Sequence, residues 1–327
     1  MSHAVIGTGY WGSNHVRVGA ELVDQGLVDN LVICDMNEER AASMASDYDT
    51  EYVVDYTELR DQVDTAVIAT PSPTHHEIAT DLLSAGVDCL VEKPLALESD
   101  AAWDIVETAE ANGRTLGVGH IFRYHPALTD LAERIHRGEL GEIRYLMTNR
   151  FALRAPRKTT GVLYSLAVHD VDINRMLLEK HPESIYCKLD STVRDGIAET
   201  ATITADYGQA TGVINESWQV PVFGKSRELV VVGSQRAAHI DYLEDNKVTI
   251  YDARIVEEGG ENRAMDEGKT VHEVPKEEPL KREVIDFVEA SRESGDMQSP
   301  GRVGAEAVDL LQYAAESAAE GRAVHLD

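Results

Sequence analysis

The chain has 327 residues, 43% of them hydrophobic, and 58 acidic against 30 basic residues give a formal charge of −28. That balance excludes nucleic acid and anionic membrane as partners, because phosphate contacts need Lys and Arg gathered in a patch. The length suits about two domains with full cores, no apolar run approaches the roughly 18 to 20 residues a bilayer requires, and no charged-then-apolar leader opens the chain, so a cytoplasmic location is expected.

The first element is an apolar run, Ala4-Val5-Ile6, followed at once by Gly7-Thr8-Gly9-Tyr10-Trp11-Gly12. A second run, Leu31-Val32-Ile33-Cys34, ends in Asp35, about 23 positions beyond the last glycine, close to the spacing of a dinucleotide-binding βαβ unit. In such a unit one glycine makes the tight turn, one lets the backbone approach a pyrophosphate, and one lets the helix pack on the strand. Asp35 would accept hydrogen bonds from an adenine-ribose diol and repel a 2′-phosphate, so NAD is the expected cofactor. The alternative is a structural glycine turn with a solvated Asp35.

Further strands are predicted at Glu51–Val54, Thr65–Ala69, Cys89–Val91 and Thr115–Val118, with helical patterns between most of them, such as Ala101–Ala111 capped by Asn112-Gly113. This alternation predicts an α/β domain over residues 1–119, a Rossmann-type doubly wound parallel sheet. Thr70-Pro71-Ser72-Pro73-Thr74-His75 follows one strand and Glu92-Lys93-Pro94 another, so both should lie at the carboxyl ends where open α/β sheets bind ligands.

After Gly119 the pattern changes. A helix at about Ala127–His136, a strand-like Glu142–Leu153 and a helical stretch Gly161–Glu179 precede alternating segments at Ser184–Val193, Ala198–Tyr207, Thr211–Trp218, Glu228–Val232 and Lys247–Tyr251. Residues 120–327 therefore read as an α+β domain with a mostly antiparallel sheet, closed by helices at Lys281–Ser294 and Val303–Glu320. Glu257–Glu278, rich in Glu and Gly, is expected to be a solvated loop.

Three groups of residues could carry chemistry. Lys93 precedes a proline that biases its backbone toward extended geometry, and a cation there could stabilise a developing alkoxide beside a nicotinamide. At helical spacing Ser165, His169 and Asp172 share a side, giving a candidate general base with a hydroxyl and a carboxylate one turn either way; the alternative is a satisfied core histidine. The offsets of His169, Asp170 and Asp172 match no helical zinc spacing, so no metal is expected. Arg150, Arg154, Arg157 and Lys158, with Arg123 earlier, could bind phosphate oxygens of a nucleotide-linked substrate, or could equally be salt-bridge partners. Cys34, Cys89 and Cys187 are far apart and read as buried thiols. Acidic residues spread along the whole chain, with Arg commoner than Lys, suggest a halophilic protein whose self-repulsion salt would screen.

Together these segments resemble the glucose-fructose oxidoreductase/inositol dehydrogenase (Gfo/Idh/MocA) family over essentially the whole chain. The family's glycine turn is similar to Gly7–Gly12, its acidic ribose position to Asp35, its A-T-P-x-x-x-H segment to Ala69-Thr70-Pro71 through His75, and its E-K-P signature to Glu92-Lys93-Pro94. The resemblance implies that Gly7, Gly9, Tyr10, Trp11, Gly12, Asp35, Thr70, Pro71, His75, Glu92 and Lys93 bind NAD, and that Lys93 and His169 are catalytic. It also implies substrate binding near Arg123, Arg154, Arg157, Ser165 and Asp172, a sugar or nucleotide-sugar substrate, and a homo-oligomer. The family's D-x-x-x-H-x-x-D motif is altered here: Ser165 stands where aspartate is usual. The segments Gly119–Pro126, the basic Arg150–Lys158, and Gly161–Leu163 with Leu166–Asp172 most resemble members that oxidise a UDP-linked N-acetyl amino sugar at C3, although His125 replaces their asparagine. A dehydrogenase of a free polyol such as inositol, or a non-catalytic NAD-binding regulator, stays open.

Overall fold

A computed structural model describes every residue except Lys158, Thr159, Val222, Phe223, Asp245, Ser294 and Asp327. The chain forms two compact units, one of Met1–Tyr124 with Glu278–Asp309, the other of His125–Glu277 with Leu310–Asp327.

The first unit is built on six parallel strands, β1 Ser2–Ile6, β2 Asn30–Cys34, β3 Glu51–Val53, β4 Thr65–Ile68, β5 Asp88–Val91 and β6 Leu116–Val118, in the order β3-β2-β1-β4-β5-β6. This is the doubly wound Rossmann order, with its topological switch point between β1 and β4. The inner strands are largely apolar because both faces are covered, while the edge strand β3 is mostly exposed. Ala4, Ile6, Ala66 and Ile68 pack with α3 (His75–Ser84) and α4 (Ser99–Asn112), whereas Val5, Ile33 and Val67 pack with α1 (Gly12–Asp24) and α2 (Glu38–Tyr48).

One boundary expected after residue 119 does not describe this division. Before the C-terminal helices, the second unit contributes α5 (Pro126–His136) and α6 (Val168–Leu178). Helix α7 (Pro279–Glu293) then returns to the first unit, placing Leu280, Val284, Phe287 and Val288 in the core beside Val5 and Ile33. The following α8 (Gly301–Glu320) begins there too, where Gly301 and Gly304 let its backbone close on Leu116 and Val118. Expected as a pair closing a second domain, these helices carry apolar faces that complete the first. Ser294, at the end of one expected helix, lies outside the described residues.

The second unit holds nine strands in the order β14-β13-β12-β11-β7-β10-β9-β8-β15. They are β7 Ile143–Ala152, β8 Ser184–Asp190, β9 Thr200–Asp206, β10 Thr211–Ser217, β11 Lys225–Gly233, β12 Ala237–Asp241, β13 Lys247–Glu258, β14 Glu261–Glu273 and β15 Val324–His325. Every pairing is antiparallel except β7 with β10.

The expected Glu257–Glu278 loop is instead mostly β14, paired with β13 from Glu258↔Glu261 outward. The turn between them is Gly259-Gly260, with φ of 64° and 83°, the two positive values a two-residue type I′ hairpin requires. The strand is exposed along nearly all its length, so no apolar alternation marks it in the sequence. Its charge suits an edge strand that must resist pairing with other chains.

Candidate active site

The glycine turn leaves the carboxyl end of β1 beside β4. Gly7 has φ +84°, and a Cβ there would lie 2.9 Å from the Thr70 backbone nitrogen, while one on Gly12 would lie 1.8 Å from the Gly7 carbonyl oxygen. A Cβ on Gly9, by contrast, would meet nothing within 4 Å. Gly7 and Gly12 thus serve the fold, and Gly9 keeps open space at the N-terminus of α1, which is what an approaching pyrophosphate needs. Trp11 and Tyr10 flank this space, 37% and 89% exposed. The cradle fits a dinucleotide.

Asp35 is only 4% exposed and sits at the end of β2. Its Oδ2 accepts from the Thr8 backbone nitrogen and hydroxyl, both at 2.8 Å, and its Oδ1 accepts from Asn37 N at 2.9 Å. Arg40 grips both oxygens, Nε at 2.9 Å and Nη2 at 2.7 Å. Burial pushes the carboxyl up, but the donors from Arg40, Asn37 and Thr8 outweigh it and pull Asp35 down to about 2. Thr8 and Arg40 were not evident as site residues in the sequence. An acid ending a buried strand needs donors, which is the signal that could have found them.

The two other strand-end segments are tied together by His75, which is 1% exposed. Its Nδ1 lies 2.9 Å from the Pro94 carbonyl and its Nε2 2.9 Å from the Thr70 carbonyl. Burial holds this imidazole below its ordinary pKa. Expected as a cofactor ligand, His75 spends its ring on the backbone and braces the loops that carry Thr70, Pro71 and Lys93. The Lys93–Pro94 peptide is cis, and Lys93 itself is part-exposed.

Beneath Lys93 lies a buried acid pair that the sequence did not reveal. Glu92 Oε1 is 2.9 Å from His15 Nε2, and Glu92 Oε2 accepts from the Lys93 backbone nitrogen at 3.1 Å. Against the upward push of burial, His15 and then Lys93 hold the Glu92 carboxyl below its usual value. Glu283 on α7 is fully buried, and burial first, then Glu92 and Asp286, push it well above the carboxylate range. An acid whose pKa is raised by folding stabilises the fold below its unfolded value near 4.5 and loses that contribution as pH climbs toward the raised value, at up to about 1.4 kcal/mol per pH unit. The melting temperature of Glu283→Gln, which cannot ionise, should therefore gain on the native chain from pH 5 to pH 8. A constant difference across that range would show that Glu283 ionises normally.

In the second unit the stretch expected to be one helix from Gly161 is broken. Leu163–Ala167 winds as a π-helix, and the α-helix α6 begins only at Val168. Such π segments recur at functional sites because they shift side chains relative to α spacing. Ser165, 3% exposed, lies in this segment with its Oγ 3.1 Å from Thr160 Oγ1. His169 and Asp172, 8% and 1% exposed, follow on the first turns of α6.

The basic cluster separates. Arg150 points into the core, where it holds Asp170 through Nε at 2.6 Å and Nη2 at 3.0 Å and stacks 5.1 Å over Tyr242. Glu216, 3.9 Å from Arg150, is pushed well above the carboxylate range by burial and by Asp170. Because Asp170 adjoins His169, this clamp pins the backbone of the candidate base to β7. Arg154 and Arg157 are exposed, Arg154 lying 5.3 Å over the Trp218 ring. Arg123 belongs to the first unit, where Nη1 donates to the Gln298 carbonyl at 3.1 Å. Lys158 lies outside the described residues.

A glycine cradle on a Rossmann sheet, followed by a largely antiparallel unit, defines a nicotinamide-dinucleotide enzyme class, and sequence comparison agrees. Residues 1–120 match the oxidoreductase family with an NAD-binding Rossmann fold, and residues 128–239 match the GFO/IDH/MocA C-terminal domain. The chain belongs to the GFO/IDH/MocA family of NAD-binding oxidoreductases. It is 29% identical over 291 residues, 89% of this chain and 88% of the relative, to UDP-N-acetylglucosamine 3-dehydrogenase of Acidithiobacillus ferrooxidans. A solved structure of that enzyme superposes with a TM-score of 0.83 over 97% of each chain at 25% identity. An inositol 2-dehydrogenase of Saccharopolyspora erythraea is 32% identical over 204 residues, covering 61% of this chain and 59% of its own. Levoglucosan dehydrogenase in complex with NADH and levoglucosan shares the fold, with a TM-score of 0.87 over 99% of each chain at 18% identity.

Proposed function

We propose that the chain oxidises a secondary hydroxyl of a nucleotide-linked amino sugar, at C3 of a UDP-N-acetyl sugar, with NAD. Bound NAD supplies the hydride acceptor. His169 takes the proton of the reacting hydroxyl, Lys93 donates a hydrogen bond to that oxygen and to the cofactor ribose, and Ser165 and Asp172 orient the neighbouring sugar hydroxyls. Serine in place of the usual aspartate can still donate or accept one hydrogen bond but adds no charge.

The observation that carries the nucleotide-sugar reading is the exposure of Arg154 and Arg157, in contrast to the buried Arg150. In so acidic a chain, two exposed guanidinium groups offer the bidentate donors that a pyrophosphate takes. Arg154→Ala and Arg157→Ala should each raise the KM for UDP-N-acetylglucosamine by about tenfold with kcat little changed, since a charge-assisted contact contributes about 1.5–3 kcal/mol. An unchanged KM in both variants would remove the support for a nucleotide substrate. It would also favour the second reading, oxidation of a free polyol, to which the similarity with inositol 2-dehydrogenase points.

The charge of −28 supports a further part of the proposal, adaptation to high salt. At 1 M salt the Debye length is about 3 Å, so repulsion among exposed carboxylates is largely screened. The melting temperature is expected to rise as KCl goes from dilute to molar, and a steady fall would contradict this reading.

A further inference from the structure

Resting on the reading of Gly7–Asp35 as the cofactor cradle, we infer that Arg40 lets this site accept NADP as well as NAD, by leaving Asp35 for a 2′-phosphate. The sequence alone argues otherwise, because a bare carboxylate at the end of β2 repels that phosphate. In the folded chain the carboxylate is not bare. Oδ2 accepts three hydrogen bonds and Oδ1 accepts two, and two of the five come from Arg40. The ribose end of the cradle therefore presents a neutralised ion pair.

Arg40 is placed to move. It lies on the first turn of α2, where Asn37 caps the helix by accepting from the Arg40 backbone nitrogen at 2.9 Å. The backbone is thus fixed while the side chain stays 48% exposed, and its Nη1 makes no hydrogen bond among the described residues. When the guanidinium swings away, Asp35 keeps the two donors of Thr8 and the donor of Asn37, so its charge is not stranded. Two ligands then divide the site chemically. A ribose diol donates to Asp35 in competition with Arg40, whereas a ribose 2′-phosphate takes the planar donor fork of Arg40. The charges opposing the phosphate are Asp35 itself, left with the neutral donors of Thr8 and Asn37, and Glu38 and Glu39, both exposed on the same turn and open to screening by salt.

The test is equilibrium binding of NAD and of NADP to the full-length protein without substrate, by titration calorimetry, in the native chain, Arg40→Ala and Arg40→Lys. The criterion is the ratio of the NADP to the NAD dissociation constant. Loss of a charge-assisted bidentate contact should raise that ratio about tenfold or more in Arg40→Ala, with Arg40→Lys in between. A ratio that moves less than about threefold in Arg40→Ala overturns the inference, because Arg40 then only buttresses Asp35. Failure of the native chain to bind either dinucleotide overturns the cradle reading itself.

Discussion

Replacing His169 with alanine is expected to lower kcat/KM for sugar oxidation by about 10²- to 10⁴-fold, the range a positioned general base contributes. NAD affinity and melting temperature should stay close to native, because the side chain lies on α6 of the second unit and the glycine cradle on the first. What makes a large effect credible is rigidity. Arg150 holds Asp170, the very next residue, through two hydrogen bonds inside the core, and a base fixed in this way loses little orientation on binding substrate. Lys93→Ala should also cost activity, since its neighbours Glu92 and Pro94 are anchored by His15 and His75. Activity surviving either change within about tenfold would defeat these assignments.

The second large effect separates two glycines of one turn. Gly12→Ala places a methyl group 1.8 Å from the Gly7 carbonyl oxygen, a backbone atom that cannot turn aside, so α1 must shift and both stability and NAD binding should fall. Overpacking of this kind costs about 1–3 kcal/mol, or about 5- to 150-fold in NAD affinity if the strain is relieved by opening the cradle. Gly9→Ala meets no protein atom, so its melting temperature should match the native chain while NAD affinity still drops. Calorimetric titration of NAD alongside thermal melts reads both. Equal NAD affinity in Gly9→Ala and the native chain would show that the space above Gly9 is not where the pyrophosphate lies.

Much of this architecture was legible because it follows from local rules. A buried parallel strand must be apolar on both faces, and a turn that admits a phosphate must lack side chains, so β1, β2, β4 and the glycine turn declare themselves. What stayed hidden depends on partners distant in sequence. Strand β14 has no apolar face and exists because β13 supplies its hydrogen bonds, with Gly259-Gly260 the one local clue. The π segment before His169 is invisible to a helical-periodicity argument, which assumes 3.6 residues per turn throughout. Arg150 looked like its neighbours Arg154 and Arg157 until β7 turned it inward to Asp170. His75, Glu92 and Lys93 could be placed at strand ends, but the buried partner that holds Glu92, His15 on α1, comes from a helix whose packing no motif encodes.

The central claim, that this oxidoreductase transfers hydride from a nucleotide-sugar hydroxyl to NAD, is tested most directly by incubating the purified protein with NAD and UDP-N-acetylglucosamine in molar KCl and following NADH absorbance. Turnover is expected, with deuterium at sugar C3 appearing in the reduced cofactor. Absence of NADH with that substrate, together with turnover of inositol, would contradict the claim, and NAD binding without NADH formation from any sugar would mark the chain as a non-catalytic member of its family.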